Sequence, residues 1–464
     1  MRDGLSELRA RGGELVIVGN GAARYAAAFR EDLALPDDVP LLVDPELRAY
    51  RAAGLRRGRL EALSPRVPLH ALRALRGGFR QHSIEGDPWQ LGGVFALRPG
   101  GALVFRHVSA EAGDHPPLSE LLDALEGAAP PVAEEAEAPA LQRWLGRGLS
   151  LALDPTVALS FARPGFRVHA LAFRPADLEV DLAGRRCLVT GANSGIGFET
   201  AQALAELGAE VVLLCRSRER GEEAAERIRE ETASRTVSVE TLDVSSLAAV
   251  REVGARLAAA GPVDVLVHNA GVLPSARSET AEGLELTWAT HVVGPHLLSR
   301  LLRPALLRSA GARMIWVSSG GMYTRRLRLD DVAWKTRRPY DGVVAYAETK
   351  RAQVVLAELW AERLRATRVA VSSMHPGWAD TPSVKRSLPT FHRLTRPLLR
   401  TPAEGADTVV WLAAAERASD ARGRFFFDRE PRSTHWLPGT RESEDDRRAL
   451  WKRVEADARR QPRS

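Results

Sequence analysis

Apolar and polar positions follow two different rhythms along this chain, and the change falls near residue 127. Before it the apolar runs are short. Leu15 to Val18 is a β-rich run, followed by the turn Gly19-Asn20-Gly21 and an amphipathic segment reaching Leu33. Leu41 to Val43 reads as a second strand, with a helix near Pro45 to Ala53. Gly93 to Leu97 and Ala102 to His107 flank Arg98-Pro99-Gly100-Gly101, a hairpin signal, and a helix is predicted from Pro117 to Leu125. The order β-α-β-α-β-β-α describes a small α/β domain over residues 1–126.

Residues 127–150 form a linker. Gly127 to Ala140 contains Pro, Ala and Glu and has almost nothing to bury. A second stretch, Asp154 to Asp181, reads as irregular, but its alternating aromatics and arginines (Phe161, Phe166, Phe173) predict that it packs on the domain C-terminal to it.

Beyond it the rhythm becomes regular. Continuous apolar strands are predicted at Arg186 to Thr190, Glu210 to Leu214, Val237 to Leu242, Val263 to His268, Arg313 to Val317 and Val369 to Met374. Helical segments such as Gly195 to Leu207 and Arg218 to Glu231 separate them. Uninterrupted apolar strands joined by helical crossovers imply a parallel sheet covered on both faces, a Rossmann-type doubly wound α/β fold. It is expected to occupy residues 151–445, with a charged C-terminal tail over 446–464.

Composition changes little in this picture. At 464 residues the chain is too long for one core. No apolar run reaches the roughly 18 residues of a membrane span, and no signal-peptide core follows Met1, so a cytoplasmic protein is expected. The net charge of +6 is carried by arginines interleaved with glutamates, while the lysines are Lys335, Lys350, Lys385 and Lys452. That distribution describes solvated helix faces and argues against nucleic-acid binding. Cys187 and Cys215 lie inside apolar strands and are read as buried thiols, and no metal site is expected.

The first strand runs directly into Thr190-Gly191-Ala192-Asn193-Ser194-Gly195-Ile196-Gly197 and then a helix. Glycines there allow a tight turn and close approach of backbone to a pyrophosphate, and a helix N-terminus supplies free N–H groups. The second strand ends Leu214-Cys215-Arg216-Ser217. An arginine where an acidic residue would grip ribose hydroxyls suits a 2′-phosphate and favours NADP(H) over NAD(H), although a solvated arginine is the alternative.

Tyr346-Ala347-Glu348-Thr349-Lys350 places a phenol and an ammonium at i and i+4, on one helix face. A neighbouring ammonium favours the phenolate, and such a tyrosine can exchange a proton with a carbonyl or alcohol oxygen.

These residues resemble the short-chain dehydrogenase/reductase family, and further elements occur in the family's order. Asp243-Val244 is similar to the adenine-contacting end of strand three. Asn269-Ala270-Gly271 is similar to the motif that steadies sheet and cofactor. Pro376-Gly377 followed by Thr381 resembles the segment that caps the nicotinamide. Ser318-Ser319-Gly320-Gly321-Met322 and Gly423-Arg424-Phe425-Phe426 resemble a subgroup, the dehydrogenase/reductase SDR family member twelve-like proteins.

The resemblance implies that Tyr346 is the general acid/base and that Ser319 hydrogen-bonds the substrate oxygen. It implies that Lys350 holds the nicotinamide ribose and lowers the tyrosine's pKa. His291 stands where the family usually has an asparagine that supports a relay water. Histidine can hold a water, break the relay, or be a satisfied core residue. The apolar segment between Thr381 and Thr401, with Leu388, Phe391 and Leu394, resembles the family's substrate lid and implies a hydrophobic carbonyl or alcohol.

The first 125 residues resemble an AhpC/TSA-type, thioredoxin-like domain through Glu14 to Gly21, Asp44-Pro45, Gly86 to Gly93 and Ala112 to Pro117. No cysteine precedes Cys187, so thiol peroxidase chemistry is excluded as the chain stands. Either upstream coding sequence restores a cysteine-bearing segment, giving a fused thiol-redox protein, or the domain is a remnant used for packing or partners. An NADP(H)-dependent oxidoreductase, possible as a homo-oligomer, is the expected function, and a non-catalytic NADPH-binding regulatory or scaffold protein is the alternative.

Overall fold

The computed structural model describes residues 157–232, 234–436 and 439–463. Before these it describes 5–11, 13–19, 26–32, 35–44, 49–50, 53, 55, 92–97, 103–109, 116 and 118–125. The chain divides into two compact units, Met1–Glu137 and Ala138–Ser464.

In the first unit β1 (Ile17–Gly19) pairs in parallel with β2 (Leu41–Val43), with Ile17 opposite Leu41. The hairpin expected further on is present as β3 (Gly93–Leu97) against β4 (Leu103–Val108), antiparallel. The Leu118–Leu125 helix lays Leu121 on Val94 and Ala96 of that hairpin. The motifs at Gly86 to Leu91 and Ala112 to His115, and the linker, lie outside the described residues.

The second unit is built on β5 (Arg186–Thr190), β6 (Glu210–Cys215), β7 (Val237–Thr241), β8 (Val265–His268), β9 (Arg313–Val317), β10 (Ala370–Met374), β11 (Phe425–Phe427) and β12 (Glu430–Arg432). Their order in the sheet is β12-β11-β10-β9-β8-β5-β6-β7. All pair in parallel except β12, which turns back on β11. The order reverses at β5, so the crevice of a doubly wound sheet opens over the C-terminal ends of β5 and β8. One face buries Leu188, Leu214, Trp316 and Val371, and the other Val189, Leu213, Ile315 and Met374. These are the alternate residues of strands covered on both sides.

Three segments depart from expectation. The stretch before β5 is helical: Val157–Phe161, Arg163–Ala170 and a short turn at Pro175–Leu178. Pro164 near the start of the second helix supplies a preset φ where no N–H partner is needed. Phe425–Phe427 forms a strand beside β10, and its three rings are buried against earlier chain, on Tyr323, Trp411 and His375. The segment read as a charged tail is largely the Glu444–Asp457 helix, opened by a Ser443–Asp446 capping box and buried through Leu450 and Val454. Its charges occupy the outer face, so composition concealed the apolar stripe. No helix among the described residues is long and apolar enough to cross a membrane.

Candidate active site

The Gly-rich turn follows β5 directly. Gly191 and Gly195 have φ of +67° and +59°, backbone that side-chain-bearing residues rarely adopt. A Cβ on Gly197 would lie 2.4 Å from both the Asn269 Nδ2 and the Gly191 carbonyl. Ser194 caps the Gly195–Glu206 helix without a side-chain hydrogen bond, which leaves first-turn N–H groups available to an anion.

The turn is tied to β8 from both sides. Asn269 Nδ2 donates to the carbonyls of Thr190 (2.9 Å) and Gly191 (3.2 Å). Thr190 Oγ1 accepts from the N–H groups of Asn269 (2.9 Å) and Ala270 (3.0 Å) and donates to Val267 (3.1 Å). Thr381, far along the chain, limits the room at Gly195, where a Cβ would lie 3.2 Å from its methyl, and a Cβ on Gly405 would lie 3.3 Å from Ile196.

Arg216 stands exposed just beyond β6 and makes no side-chain hydrogen bond among the described residues. Asp243 holds the Ser245 N–H and hydroxyl at 2.9 and 2.7 Å, and the Val244 carbonyl is so close to Gly294 that a Cβ there would overlap it. A cavity of about 600 Å³ is lined by Asn193, Ser194, Arg220, Arg227, Lys385 and Arg386, among others.

Ser319 follows β9, and the Gly342–Arg363 helix carries Tyr346 and Lys350 beside it. Asp341 caps that helix by accepting from the N–H groups of Val343 and Val344. Ser318 Oγ donates to the Lys350 carbonyl (2.8 Å) and Lys350 Nζ to the Val317 carbonyl (2.8 Å), which joins strand end to helix. Burial pushes the Tyr346 phenol above its ordinary value, and its hydrogen bond with Ser319 pulls it back.

The lowering of Tyr346 expected from Lys350 is opposed by that burial. Lys350 is itself buried, and burial pushes its ammonium down to about 7. Its Nζ stands 5.5 Å from the Tyr346 ring centroid.

His291 is fully buried on a π-helical stretch, Ala289–Val293, with its ring edge-on to Tyr346 at 5.3 Å. The Val272 N–H donates to Nε2 (2.9 Å), so Nδ1 carries the proton and donates to Thr349 Oγ1 (2.8 Å). Burial, then the nearby Lys350, hold the ring's pKa well down. Both nitrogens are spent on protein, which leaves none for a relay water and removes that expectation for the ring. Gly271 lies between this ring and Lys350.

Pro376-Gly377 follows β10. Gly377 has φ +72°, and a Cβ there would lie 2.5 Å from Arg400 Nε. The segment expected to act as a lid folds as Pro382–Ser387 and Pro389–Thr395, with Leu394 75% exposed. Both cysteines are buried, and burial pushes Cys215 up to about 11 and Cys187 higher still, so neither is a thiolate nucleophile.

Sequence reasoning missed the groups that enclose the Ser319 side. Arg400 is fully buried and forms a two-pronged pair with Asp428 (2.6 and 2.8 Å), which also meets His169 Nδ1 (2.5 Å). Burial pushes the Asp428 carboxyl up, but Arg400 and His169 outweigh it and hold it at about 2. Arg351, next to Lys350, pairs with Glu442 and donates to the Thr434 carbonyl (2.5 Å). That anchors the chain around Trp436. An arginine-rich sequence gives no sign of which arginines are buried.

This crevice, with a bare helix N-terminus below and a serine, tyrosine and lysine above, defines a dinucleotide-binding oxidoreductase. A family model described as short chain dehydrogenase matches residues 185–390, and one described as AhpC/TSA antioxidant enzyme matches residues 1–111. Human dehydrogenase/reductase SDR family member 12 is 39% identical over 293 residues, 63% of this chain and 89% of the relative. Human retinol dehydrogenase 13 is 34% identical over 254 residues, 53% and 76% of the two chains. A solved short chain dehydrogenase from Salmonella enterica is 26% identical with a TM-score of 0.44, covering 56% of this chain and 100% of that one. The chain belongs to the short-chain dehydrogenase/reductase family.

Proposed function

We propose that the Ala138–Ser464 unit interconverts a hydrophobic carbonyl compound and its alcohol with NADP(H). The observation that carries this reading is the grouping of Ser319, Tyr346 and Lys350 beside the Gly-rich turn, with Lys350 Nζ 5.5 Å from the Tyr346 ring centroid and donating to the Val317 carbonyl at the end of the strand that leads into Ser319. NADP(H), when bound, supplies or accepts the hydride.

The chain's own residues do the rest. First-turn N–H groups of the Gly195–Glu206 helix hold the pyrophosphate, with Asn193, Ser194, Ile196 and Gly197 around it. Asn269, Ala270 and Thr190 keep the turn closed. Asp243 and Val244 border the adenine, and Pro376, Gly377 and Thr381 border the nicotinamide amide. Exposed Arg216 at the end of β6, and Arg220 lining the cavity beside Asn193 and Ser194, support preference for a 2′-phosphate.

Lys350 directs its Nζ protons towards the ribose hydroxyls; one is already held by Val317. Ser319 donates to the substrate oxygen and polarises it. Tyr346, kept protonated by burial, delivers its proton to that oxygen in reduction and recovers it in oxidation. His291 is a positioning residue that acts through Thr349 on the helix bearing Tyr346. The apolar lid and the retinol dehydrogenases among the relatives support a hydrophobic substrate.

The test is turnover of hydrophobic aldehydes and ketones with NADPH, alongside Tyr346→Phe. The variant is expected to lose roughly 10²- to 10⁴-fold in kcat while binding NADPH within about twofold of the parent. Tight NADPH binding without turnover on any carbonyl would replace this reading with the regulatory one.

A further inference from the structure

The chain preceding β5 lies outside the alternating strands and helices of the sheet, yet one of its residues reaches the centre of the site. Phe161 ends the Val157–Phe161 helix and is 3% exposed. Its ring lies against Gly320, the residue after Ser319, so closely that a Cβ on Gly320 would stand 2.4 Å from Phe161 Cε2. The same residue reaches the other turn. The Phe161 carbonyl accepts from the Trp378 N–H (2.8 Å), immediately after Pro376-Gly377, and its ring packs on His375 at 4.4 Å and edge-on to Trp378 at 6.2 Å. Phe161 thus fills the space between the turn that holds Ser319 and the turn that borders the nicotinamide.

Its seat is fixed by one guanidinium. Arg400 Nε donates to the carbonyls of Phe161 (2.9 Å) and Ala162 (3.3 Å), and Nη2 to Ser160 (2.8 Å). Those carbonyls close a short helix, and Asp428 balances the charge. Arg400 also crowds Gly377. The helical hairpin, the nicotinamide-side turn and the β11–β12 turn therefore share one buried cation.

We propose that Phe161 is a positioning residue for the reaction, a wedge whose size sets the separation of Ser319 from Pro376-Gly377. It touches neither substrate nor cofactor and acts through the two turns. Hydride transfer depends steeply on that separation, since misplacement by about 1 Å removes roughly 100-fold in rate. This rests on the proposed NADP(H) site, so the test has one arm that needs only cofactor binding and one that needs turnover.

In the first arm, emission of bound NADPH is recorded for the parent, Phe161→Leu and Phe161→Ala. Removing the ring is expected to loosen the cap and shift emission to longer wavelength, in the order parent, Leu, Ala, with Kd within about threefold. In the second arm, kcat for Phe161→Ala is expected to fall about 10- to 100-fold with KM for the carbonyl little changed. The isotope effect with 4-deuterated NADPH is expected to rise, and Phe161→Leu to restore most of the loss. A merely structural role would lower the melting temperature and leave emission and isotope effect at parental values, which would overturn the proposal. If the parent turns nothing over, the oxidoreductase reading falls, and emission alone decides: an unchanged spectrum in Phe161→Ala sinks the wedge.

Discussion

The two halves of the crevice are held together by different means. The nucleotide half is made of backbone: three glycines, a bare helix end, and an amide and hydroxyl tying two adjacent strands. Its parts come from a few short segments whose residue types are dictated locally, by positive φ or by the absence of room for a Cβ. The Ser319 half is made of rings and buried ion pairs. Tyr323 stacks on Trp436 at 4.1 Å, Phe161 and His375 pack beside them, and Arg400–Asp428 and Arg351–Glu442 fasten the segments that bring them. A pyrophosphate is the same in every dinucleotide, so fixed backbone suffices for it. The substrate side takes its shape from remote pieces of chain, each requiring its own fastening.

That contrast can be broken in order of size. Asp428→Asn leaves the Arg400 charge buried without its partner and is expected to lower unfolding free energy by about 3–5 kcal/mol in denaturant titration. NADPH affinity should stay within about twofold. Asp428 is depressed to about 2 from 3.8, so its contribution is present above pH 3.8 and disappears as pH falls through 2. The gap between parent and variant should narrow over that interval. Gly197→Ala attacks the other half, where a backbone carbonyl and the Asn269 amide cannot both give way. It should cost about 1–3 kcal/mol of stability and weaken NADPH at least tenfold in fluorescence titration. Smallest is Arg216→Ser, expected to reduce selectivity for NADPH over NADH about tenfold, roughly 1.4 kcal/mol, with no change in melting temperature. Equal loss of both cofactors would make Arg216 an ordinary surface arginine.

The same contrast explains what could be read from the sequence. The parallel sheet was legible because buried strands are continuous apolar runs, as Cys187-Leu188-Val189 and Val265-Leu266-Val267 show. The turn from Thr190 to Gly197 was legible because geometry forces its composition. Tyr346 and Lys350 were legible because helical spacing puts them on one face. What escaped depends on contacts between distant positions. Nothing around Arg400 or Asp428 distinguishes them from the solvated charges of an arginine-rich chain, and only the fold buries them. Phe425–Phe427 becomes a strand because β10 offers it an edge. A neighbouring charge is all that the sequence offers for the pKa of Tyr346, whereas burial, which no sequence window reveals, decides its direction.

The Arg163–Glu404 and His169–Asp428 pairs join residues 241 and 259 positions apart. Closing loops of that length is entropically expensive, growing as about (3/2)RT ln n, and cannot begin until the later partner has been synthesised. The nucleotide turn and its tie to Asn269, by contrast, are complete in a chain that has reached only β8. Closing of that turn is therefore an early milestone in the maturation of this unit. The seating of the helical hairpin before β5 is a late one, a seal that waits for Glu404 and Asp428.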